Sequence, residues 1–251
     1  MMQPHIMCRR GDVGEYVLLP GDPKRTKIIA ELMDEPKIVA DYRQFITWTG
    51  WYKDVKVSTT STGIGCPAAA ITVEELSRIG AKCFIRVGTT GSIQPHIDTG
   101  DLIVATGAVR DEGTTVNYAP PTYPALASLK VVTALLEASK RVGVNCYSGI
   151  VWTNDAFYSE HMEKVELYRS LGVLSVEMEC SAIFTLASIK GLLSGAILAV
   201  DGNLVKGTKK SEFKPHEKKG ELDPRVREAI LSEAKIALEA VRILHEEAVP
   251  R

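Results

Sequence analysis

The sequence lacks the features that mark several large classes of protein. No stretch approaches the ~18 apolar residues that a membrane span requires, and residues 1–10 contain no apolar core of a secretory signal. Thirty basic and thirty-one acidic side chains give a formal net charge of −1, so no overall field attracts nucleic acid or an anionic membrane. We therefore expect a cytoplasmic protein that binds small molecules, with any anion site confined to a local cluster of basic residues.

Cysteine is sparse, and its spacing does not match the common cysteine-based sites. There is no C-x-x-C pair and no histidine pattern of the zinc kind beside the five cysteines, Cys8, Cys66, Cys83, Cys146 and Cys180. A P-loop is also missing, and the glycines of residues 62–65 lack the further glycine and the downstream acid of a dinucleotide site. We expect reduced cysteines in packing roles, no metal and no organic cofactor.

What the chain does contain is the pattern of an α/β domain. Short apolar runs rich in β-branched residues alternate with longer segments of helical period, and we expect one domain over residues 1–251. The predicted strands span residues 16–19, 55–60, 83–87, 102–106, 149–153 and 195–200. The predicted helices span residues 23–33, 67–79, 124–142, 160–171, 179–190 and 224–245. The charged segment 206–223 shows no apolar period and predicts a surface loop, with a substrate lid as the alternative.

One candidate anion site lies where the first predicted strand meets the first predicted helix. Gly21 stands at this corner, and the N–H groups of a helix start suit an anion. Arg25, in the first helical turn, can add a guanidinium group that donates two charge-assisted hydrogen bonds to phosphate. The alternative is that these residues only form the turn between a strand and a helix. This run therefore predicts an anion site only together with a second such feature.

The second feature is Arg86, which interrupts an otherwise apolar strand. A buried arginine is unfavourable unless it is paired, and a salt bridge to an internal carboxylate is one explanation. The residues that follow are Gly88, Thr89, Thr90 and Gly91, whose N–H and hydroxyl donors suit the same oxyanion that Arg86 would neutralise. This turn favours a phosphate site.

A third feature is the pair of carboxylates that flanks Met178. Glu177 and Glu179 stand at the start of a predicted helix, where acidic residues commonly act as dipole partners or caps. The functional alternative is that one carboxylate accepts hydrogen bonds from a vicinal diol while Met178 packs against the face of a sugar.

Together these runs resemble the nucleoside phosphorylases of the hexameric or trimeric type, which include uridine, small purine nucleoside and methylthioadenosine phosphorylases. The resemblance covers nearly the whole chain. It implies an α/β fold with a central mixed, partly barrel-like β-sheet flanked by helices, and cleavage of a nucleoside by inorganic phosphate as co-substrate. The matching runs are Pro4-His5-Ile6, Gly21-Asp22-Pro23, Ser61-Thr62-Gly63-Ile64-Gly65, Arg86-Val87-Gly88-Thr89-Thr90-Gly91, Asp155-Ala156-Phe157-Tyr158 and Val176-Glu177-Met178-Glu179.

The resemblance also implies a role for individual residues. Those expected around phosphate are Gly21, Arg25, Arg86 and Thr89. Those expected around the ribose are Thr89, Glu177, Met178 and Glu179. Those expected at the base are Gly91 and Phe157, although an aromatic residue in a mixed apolar run is often part of the core. Arg86 and Glu179, with Asp201, are the candidate catalytic residues.

Two further matches imply that the site is shared between subunits. Arg43 matches an arginine that reaches the phosphate of a neighbouring subunit, and His5 matches a histidine that reaches the neighbour's ribose. Without the resemblance, both would be read as solvated surface residues. With it, we expect a homo-oligomer in which dimers with two composite sites assemble into a hexamer.

The positions that would read the base match neither branch of the family. Purine-cleaving members carry a Ser-Asp pair after the late strand, where this chain has Asp201 followed by Gly202 in the place of the aspartate. Uridine phosphorylases carry an arginine where this chain has Leu204, and a glutamine and an arginine where it has His161 and Glu163.

Other runs, at residues 86–96 and 109–113, look closer to uridine phosphorylases. Uridine is therefore the first-ranked substrate, with a purine nucleoside or methylthioadenosine as the alternative. His161 and Asp201 are the residues to test for base contact, because histidine can donate to a carbonyl oxygen near neutral pH. The alternative for His161 is an exposed position on a helix.

Two other functions remain open from the sequence. A hydrolytic nucleosidase on the same fold would use water and has no need of three arginines, and cleavage that persists without phosphate would favour it. A non-catalytic nucleoside-binding protein would bind its ligand and form no product, since a fold alone does not fix an activity.

Overall fold

The computed structural model describes residues 1–159, 161–208 and 222–248, and its centre is one mixed β-sheet. The strands are β1 (Tyr16–Leu19), β2 (Asp34–Tyr42), β3 (Phe45–Tyr52), β4 (Val55–Thr60), β5 (Cys83–Ser92), β6 (Leu102–Asp111), β7 (Ala125–Leu126), β8 (Cys146–Asn154), β9 (Ser175–Glu177) and β10 (Leu193–Asn203). The helices are α1 (Pro23–Ala30), α2 (Cys66–Arg78), α3 (Leu129–Val142), α4 (Met162–Ser170), α5 (Cys180–Ile189) and α6 (Pro224–Ala248), with a 3-10 turn at Thr115–Asn117.

Part of the sheet closes on itself. The strand order β10-β6-β8-β9-β5 returns to β10, because β10 pairs with both β6 and β5, and this gives a five-stranded ring. The rest of the sheet continues outward from β5 through β1, β4 and β3 to β2. Parallel pairs such as β10 with β5 stand beside antiparallel pairs such as β10 with β6. The expected mixed, partly barrel-like sheet flanked by helices is confirmed.

Two apolar clusters cover the two faces of this sheet. Side chains of a strand alternate between faces, and in β5 Phe84 joins the cluster with α2 and α5 while Ile85 joins the cluster with α3 and α6. Both side chains have no solvent exposure. This burial on both faces explains why β5 reads as a continuous apolar run, and it makes Arg86 in the same strand a buried charge.

Most predicted elements are present. The strands at residues 16–19 and 55–60 have the predicted bounds, and the four other predicted strands are present but extend further at one or both ends. The helix predicted at residues 67–79 differs from α2 by one residue at each end. Its start agrees with the rule that proline suits the first helical turn, where its missing N–H has no partner to lose.

Several predicted bounds were wrong. The helix predicted at residues 124–142 begins only at Leu129, because residues 125–126 pair with β6 as a short strand. The helix predicted at residues 23–33 ends at Ala30, and Met33 packs in the core beyond it. The helix predicted at residues 160–171 begins at Met162, with Glu160 outside the described residues.

Besides β7, which was predicted as part of a helix, strands β2, β3 and β9 were missed. Most side chains of β2 are exposed, so the strand carries charges and proline rather than an apolar run, as edge strands do. In β3 the alternation of buried and partly exposed side chains ends at Gly50. A Cβ atom at Gly50 would come within 2.9 Å of the Asp34 carbonyl oxygen, so only glycine lets β2 lie this close. The third, β9, has three residues, too few to show a period.

Residues 209–221 of the predicted loop 206–223 lie outside the described residues, as does the tail 249–251. Where the chain is described, all five cysteines are free, and four of them are buried. None of the described helices combines the length and apolar character needed to cross a lipid bilayer.

Candidate active site

A cavity of about 900 Å³ opens where several strands of the sheet end. Its walls come from the segments that follow β1 and β4, from the second half of β5, and from the ends of β8, β9 and β10. Ligands of open α/β sheets commonly bind at the carboxyl ends of the strands. Of the predicted site residues, the cavity is lined by Gly21, Arg25, Arg86, Thr89, Gly91, Phe157, Glu177, Met178, Glu179 and Asp201.

The predicted anion corner at Gly21 has the expected form. Asp22 is the N-cap of α1, and its carboxylate accepts the Lys24 N–H at 2.9 Å. A Cβ atom on Gly21 would come within 3.2 Å of the Gly63 carbonyl oxygen, so glycine allows the two loops to lie together. Gly63 donates its N–H to the Gly21 carbonyl at 3.0 Å. The Gly21 corner therefore lines the cavity and is held in place by the loop at Gly63.

Arg25 projects from the first turn of α1 into the same cavity. Its guanidinium forms no hydrogen bond or ion pair with any residue that the structure describes. A half-buried cation at a helix start, without a carboxylate bound to it, suits an anion from solution.

Arg86 is the centre of a buried charge cluster and is 4% exposed. Its Nε donates to Glu177 at 2.9 Å, and one terminal nitrogen lies 2.5 Å from a Glu179 oxygen. Burial lowers the pKa of Arg86, but the two carboxylates more than offset it and the pKa is raised, so the side chain stays charged. The internal salt bridge that the sequence left as an alternative is therefore present, and it lies in the wall of the predicted site.

Glu177 is fully committed to the protein. Besides Arg86, it accepts the Thr153 hydroxyl at 2.5 Å and the N–H groups of Glu179 and Cys180 at 2.8 and 3.0 Å. These bonds fix the chain where β9 turns into α5. Glu177 ends a strand, whereas Glu179 is the N-cap residue of α5, so the predicted position at a helix start is wrong for Glu177 and confirmed for Glu179.

Glu179 lines the cavity together with Arg86 and is also 4% exposed. One of its oxygens accepts the Gly65 N–H at 2.6 Å, which ties the loop after β4 to the cluster. Burial raises the pKa of the Glu179 carboxyl, the Arg86 guanidinium opposes that rise, and the net direction is upward. A hydrogen-bonding group that is screened from water and held by two elements is well placed to bind sugar hydroxyls.

A β-bulge brings Asp201 into the cavity. The pairing of β10 with β5 shifts between Val200 and Gly202, so Asp201 is the extra residue. Bulges turn a side chain away from the regular alternation. Gly91 lies opposite, and a Cβ atom there would come within 2.7 Å of the Leu204 side chain. This end of the cavity, where the resemblance places the base, is thus narrowed by the Leu204 side chain, which lies close to the Gly91 backbone.

Aromatic residues form the other wall of this end. Phe157 and Tyr158 pack edge to face with ring centroids 5.1 Å apart, and they are 40% and 91% exposed. The prediction that Phe157 reaches the site agrees with its position. His161 is the N-cap residue of α4, contacts Ser159 at 3.2 Å, and is not among the residues that line the cavity.

His5 and Arg43 also lie away from the lining. His5 Nδ1 is 2.6 Å from Glu75, which also accepts the N–H groups of His5 and Ile6, so Glu75 orients the ring. Arg43 is exposed and stacks on Tyr42 at 5.5 Å from the ring centre. These positions suit the predicted reach into a neighbouring subunit, which remains a prediction.

The sequence interpretation missed several residues of this region. Gln44, Asn154 and Tyr158 line the cavity, and Glu75 orients His5. Tyr158 adjoins a predicted residue and was within reach of the sequence argument. Glu75 was not, because it lies seventy positions from His5 within an ordinary helical pattern.

Among the described residues, one set of three potential metal ligands comes within 4.8 Å, formed by Cys66, Glu112 and Asp155. Both carboxylates already accept backbone N–H groups, from Thr115 and from Gly113. Burial and the nearby Glu112 carboxylate raise the pKa of the Cys66 thiol, and a protonated thiol is a poor metal ligand. These contacts indicate that the two carboxylates hold the backbone around Gly113 and Thr115 in place.

The fold and the cavity together define a class of α/β proteins in which an anion corner, a buried Arg–Glu cluster and an aromatic wall share one site. The sequence profile described as the Phosphorylase superfamily matches residues 15–240. The chain therefore belongs to the phosphorylase superfamily.

Particular relatives refine this placement. A uridine phosphorylase of Thermococcus kodakarensis is 46% identical over 98% of this chain and 87% of its own length. A guanosine phosphorylase of Halorubrum lacusprofundi is 40% identical over 96% of this chain and 99% of its own. A crystal structure of uridine phosphorylase from Vibrio fischeri has a TM-score of 0.83 and 34% identity, covering 96% of this chain and 97% of that one.

Proposed function

We propose that the protein is a cytoplasmic nucleoside phosphorylase whose preferred reaction converts uridine and inorganic phosphate to uracil and ribose 1-phosphate. The observation that carries this proposal is the buried Arg86–Glu179 pair beside the Gly21 and Arg25 corner in one cavity. The identity to uridine phosphorylases over nearly the full chain supports uridine as the substrate.

Phosphate would bind at the corner formed by Gly21, Arg25, Arg86 and Thr89. Arg25 has no carboxylate bound to it among the described residues, so it can give its charge to the anion. Arg86 already shares its charge with Glu177 and Glu179, so it would orient phosphate beside the ribose more than neutralise it. The phosphate dianion would then need a further cation, and Arg43 of a neighbouring subunit fits that need.

The bond changes follow from this arrangement. A phosphate oxygen attacks C1′ as the glycosidic bond to the base breaks, and positive charge develops on the ribose ring. Phosphate beneath C1′ stabilises that charge, while Glu179 and Met178 hold the sugar in position. Glu177 was also expected at the ribose, but its oxygens already accept hydrogen bonds from the protein, so it supports the site by fixing Arg86 and the start of α5. The bond between phosphate and C1′ replaces the bond to the base, so no protein nucleophile is needed. This mechanism calls for no organic cofactor, because phosphate itself supplies the nucleophile.

The leaving base carries the electron pair of the broken bond and must be protonated or hydrogen-bonded. Asp201, which the bulge of β10 brings into the cavity, is the candidate for this contact. Phe157 would pack on the base, and Gly91 would let the base lie close to β5. His161 would need to move inward from its position at the start of α4 to take part.

The site would be completed by a second subunit. Arg43 would reach the neighbour's phosphate and His5, held by Glu75, the neighbour's ribose. Since a two-fold interface is self-complementary, each dimer would contain two such sites, and dimers would assemble into a hexamer.

The test is a side-by-side assay of uridine, thymidine, inosine and methylthioadenosine, with and without phosphate. The proposal predicts uridine as the fastest substrate, ribose 1-phosphate as the sugar product, and cleavage that stops when phosphate is removed. Cleavage at the same rate without phosphate would indicate a hydrolytic nucleosidase. Binding without product would indicate a nucleoside-binding protein.

A guanosine phosphorylase activity is the second candidate. It is favoured by the guanosine phosphorylase that is 40% identical over 96% of the chain. Leu204, an apolar residue at the base end of the cavity, offers uracil no charged partner. Guanosine therefore belongs in the same assay, and turnover of guanosine or inosine far above uridine would replace the first-ranked substrate.

A further inference from the structure

Glu233 is a buried acid whose environment the proposed mechanism does not explain. It lies in α6 with no solvent exposure. Neither carboxylate oxygen makes a hydrogen bond of normal geometry within the described part of the chain. A buried carboxylate without such partners is costly. A glutamate at this position therefore calls for a physical reason.

The surroundings of Glu233 connect it to the anion corner. Helix α6 packs against α1, β5 and β10, which lie along the cavity. The charged side chains that act on Glu233 come from these three elements, and they are Arg25 of α1, Arg86 of β5 and Asp201 of β10. The backbone of Ala199 is also near. Glu233 thus stands behind the phosphate site, outside the cavity lining.

The balance of these effects favours a neutral acid. Burial raises the pKa of the Glu233 carboxyl well above its usual range, Arg25 and Arg86 lower it only in part, and Asp201 raises it further. The geometry agrees, because neither carboxylate oxygen has a hydrogen-bond donor at normal geometry within the described residues, and the Ala199 backbone offsets the burial only in part. A bound phosphate dianion would favour the neutral form still more.

The charge state of Glu233 would be felt mainly by Arg25. Arg86 is already paired with Glu177 and Glu179, whereas Arg25 has no hydrogen-bonded or ion-paired partner in the described structure. An ionised Glu233 would attract the Arg25 guanidinium and compete with phosphate for its charge. A neutral Glu233 leaves that charge to the anion.

We propose that Glu233 is a positioning residue of the phosphate site: as a neutral acid it leaves the Arg25 charge to phosphate, and its ionisation weakens phosphate binding. This inference rests on the proposed phosphorolysis. It explains why a carboxyl group occupies an apolar interface behind the corner.

The test compares the apparent KM for phosphate of the wild type and Glu233→Gln from neutral to alkaline pH. The two are expected to agree within about twofold at neutral pH. At the alkaline end the wild-type KM should exceed that of the variant by about fivefold or more, the usual size of coupling between two sites. The change in the protonation of phosphate with pH affects both proteins equally, so it does not alter the ratio of their KM values at a given pH. The KM for the nucleoside should not separate them.

Two controls make the result specific. Glu228→Gln removes an exposed carboxylate from the same helix and should retain the wild-type profile. In an Arg25→Ala background, Glu233→Gln should no longer change the profile, because the proposed effect passes through Arg25. Should Glu233→Gln fail to fold, Glu233→Met takes its place as a neutral side chain of similar length.

Identical phosphate profiles for the wild type and Glu233→Gln would overturn this inference, as would an unchanged effect of Glu233→Gln without Arg25. Both results leave phosphorolysis itself intact. Cleavage by the wild type that does not depend on phosphate would instead overturn the proposed function, so the two failures are distinguishable.

Discussion

The two ends of the cavity differ in how their side chains are held. At the end proposed to bind phosphate and ribose, Arg86, Glu177 and Glu179 are each 4% exposed and bound to one another or to the backbone. At the other end, where the base is expected, Phe157 and Tyr158 are 40% and 91% exposed and pack edge to face against each other. Arg86 and Glu177 belong to strands of the closed ring, whereas Phe157 and Tyr158 belong to a loop beside Glu160, which lies outside the described residues.

This difference separates what is common to the reaction from what selects the substrate. Every nucleoside cleaved by phosphate presents the same anion and the same charge on the ribose, so preorganised donors in rigid strands suit that end. The base varies between substrates, and loops tolerate variation. We therefore expect substitutions at the buried end to affect all substrates alike, and those at the open end to change the ranking among bases.

The largest effect is expected from Arg86→Ala. It would leave Glu177 and Glu179 as buried carboxylates without their cation, and it would remove an orienting group from phosphate. We expect kcat/KM to fall by about 10³-fold for every nucleoside, the scale seen when a transition-state donor is removed. Steady-state kinetics with uridine and inosine would measure this loss.

Arg86→Lys is the matched control for charge. Lysine keeps the cation but cannot contact both carboxylates through a planar fork, so an intermediate activity is expected. Thermal unfolding of both variants would separate loss of fold from loss of function. Wild-type rates in a folded Arg86→Ala protein would contradict the role assigned to the buried end.

A smaller effect is expected from Phe157→Ala at the open end. Loss of one aromatic contact with the base should raise the KM for uridine about tenfold, equivalent to about 1.4 kcal/mol, and leave the KM for phosphate unchanged. Tyr158→Ala is the comparison, since its ring is almost wholly exposed and should matter less. An equal rise in both KM values would show that the two ends are not independent.

The smallest effect is expected from His161→Ala. His161 is exposed at the start of α4 and does not line the cavity, so kcat/KM for uridine should change by less than about threefold, as for a surface substitution. The measurement is the uridine rate at neutral pH beside inosine. A loss of tenfold or more for uridine alone would mean that α4 approaches the base during the reaction.

The same contrast explains what could be predicted from the sequence. Arg86 and Gly21 were identifiable because a charge in an apolar strand and a glycine at a strand end each have few physical explanations. The edge strand β2 was not, since its exposed face needs no apolar period. Glu75 and Glu233 were hidden in ordinary helical patterns, where only tertiary packing shows that one orients His5 and the other lies behind Arg25.

The position of Asp201 marks the limit of reasoning by alignment. An ungapped comparison placed Gly202 where purine-cleaving relatives carry an acid, with Asp201 one residue too early. The bulge at that point of β10 brings Asp201 to the cavity. A bulge adds one residue without any reliable sign in composition, so the sequence alone could not decide which residue faces the base.

The central claim is that the Gly21 corner and Arg25 bind inorganic phosphate in the cavity beside Arg86. Calorimetric titration of phosphate into the wild type and Arg25→Ala tests it most directly, with Lys24→Ala as the control from the same helical turn. The account predicts saturable binding to the wild type and to Lys24→Ala, weakened by about tenfold or more in Arg25→Ala, the size of a charge-assisted contact. Equal phosphate affinity in all three proteins, or no binding to any of them, would contradict it.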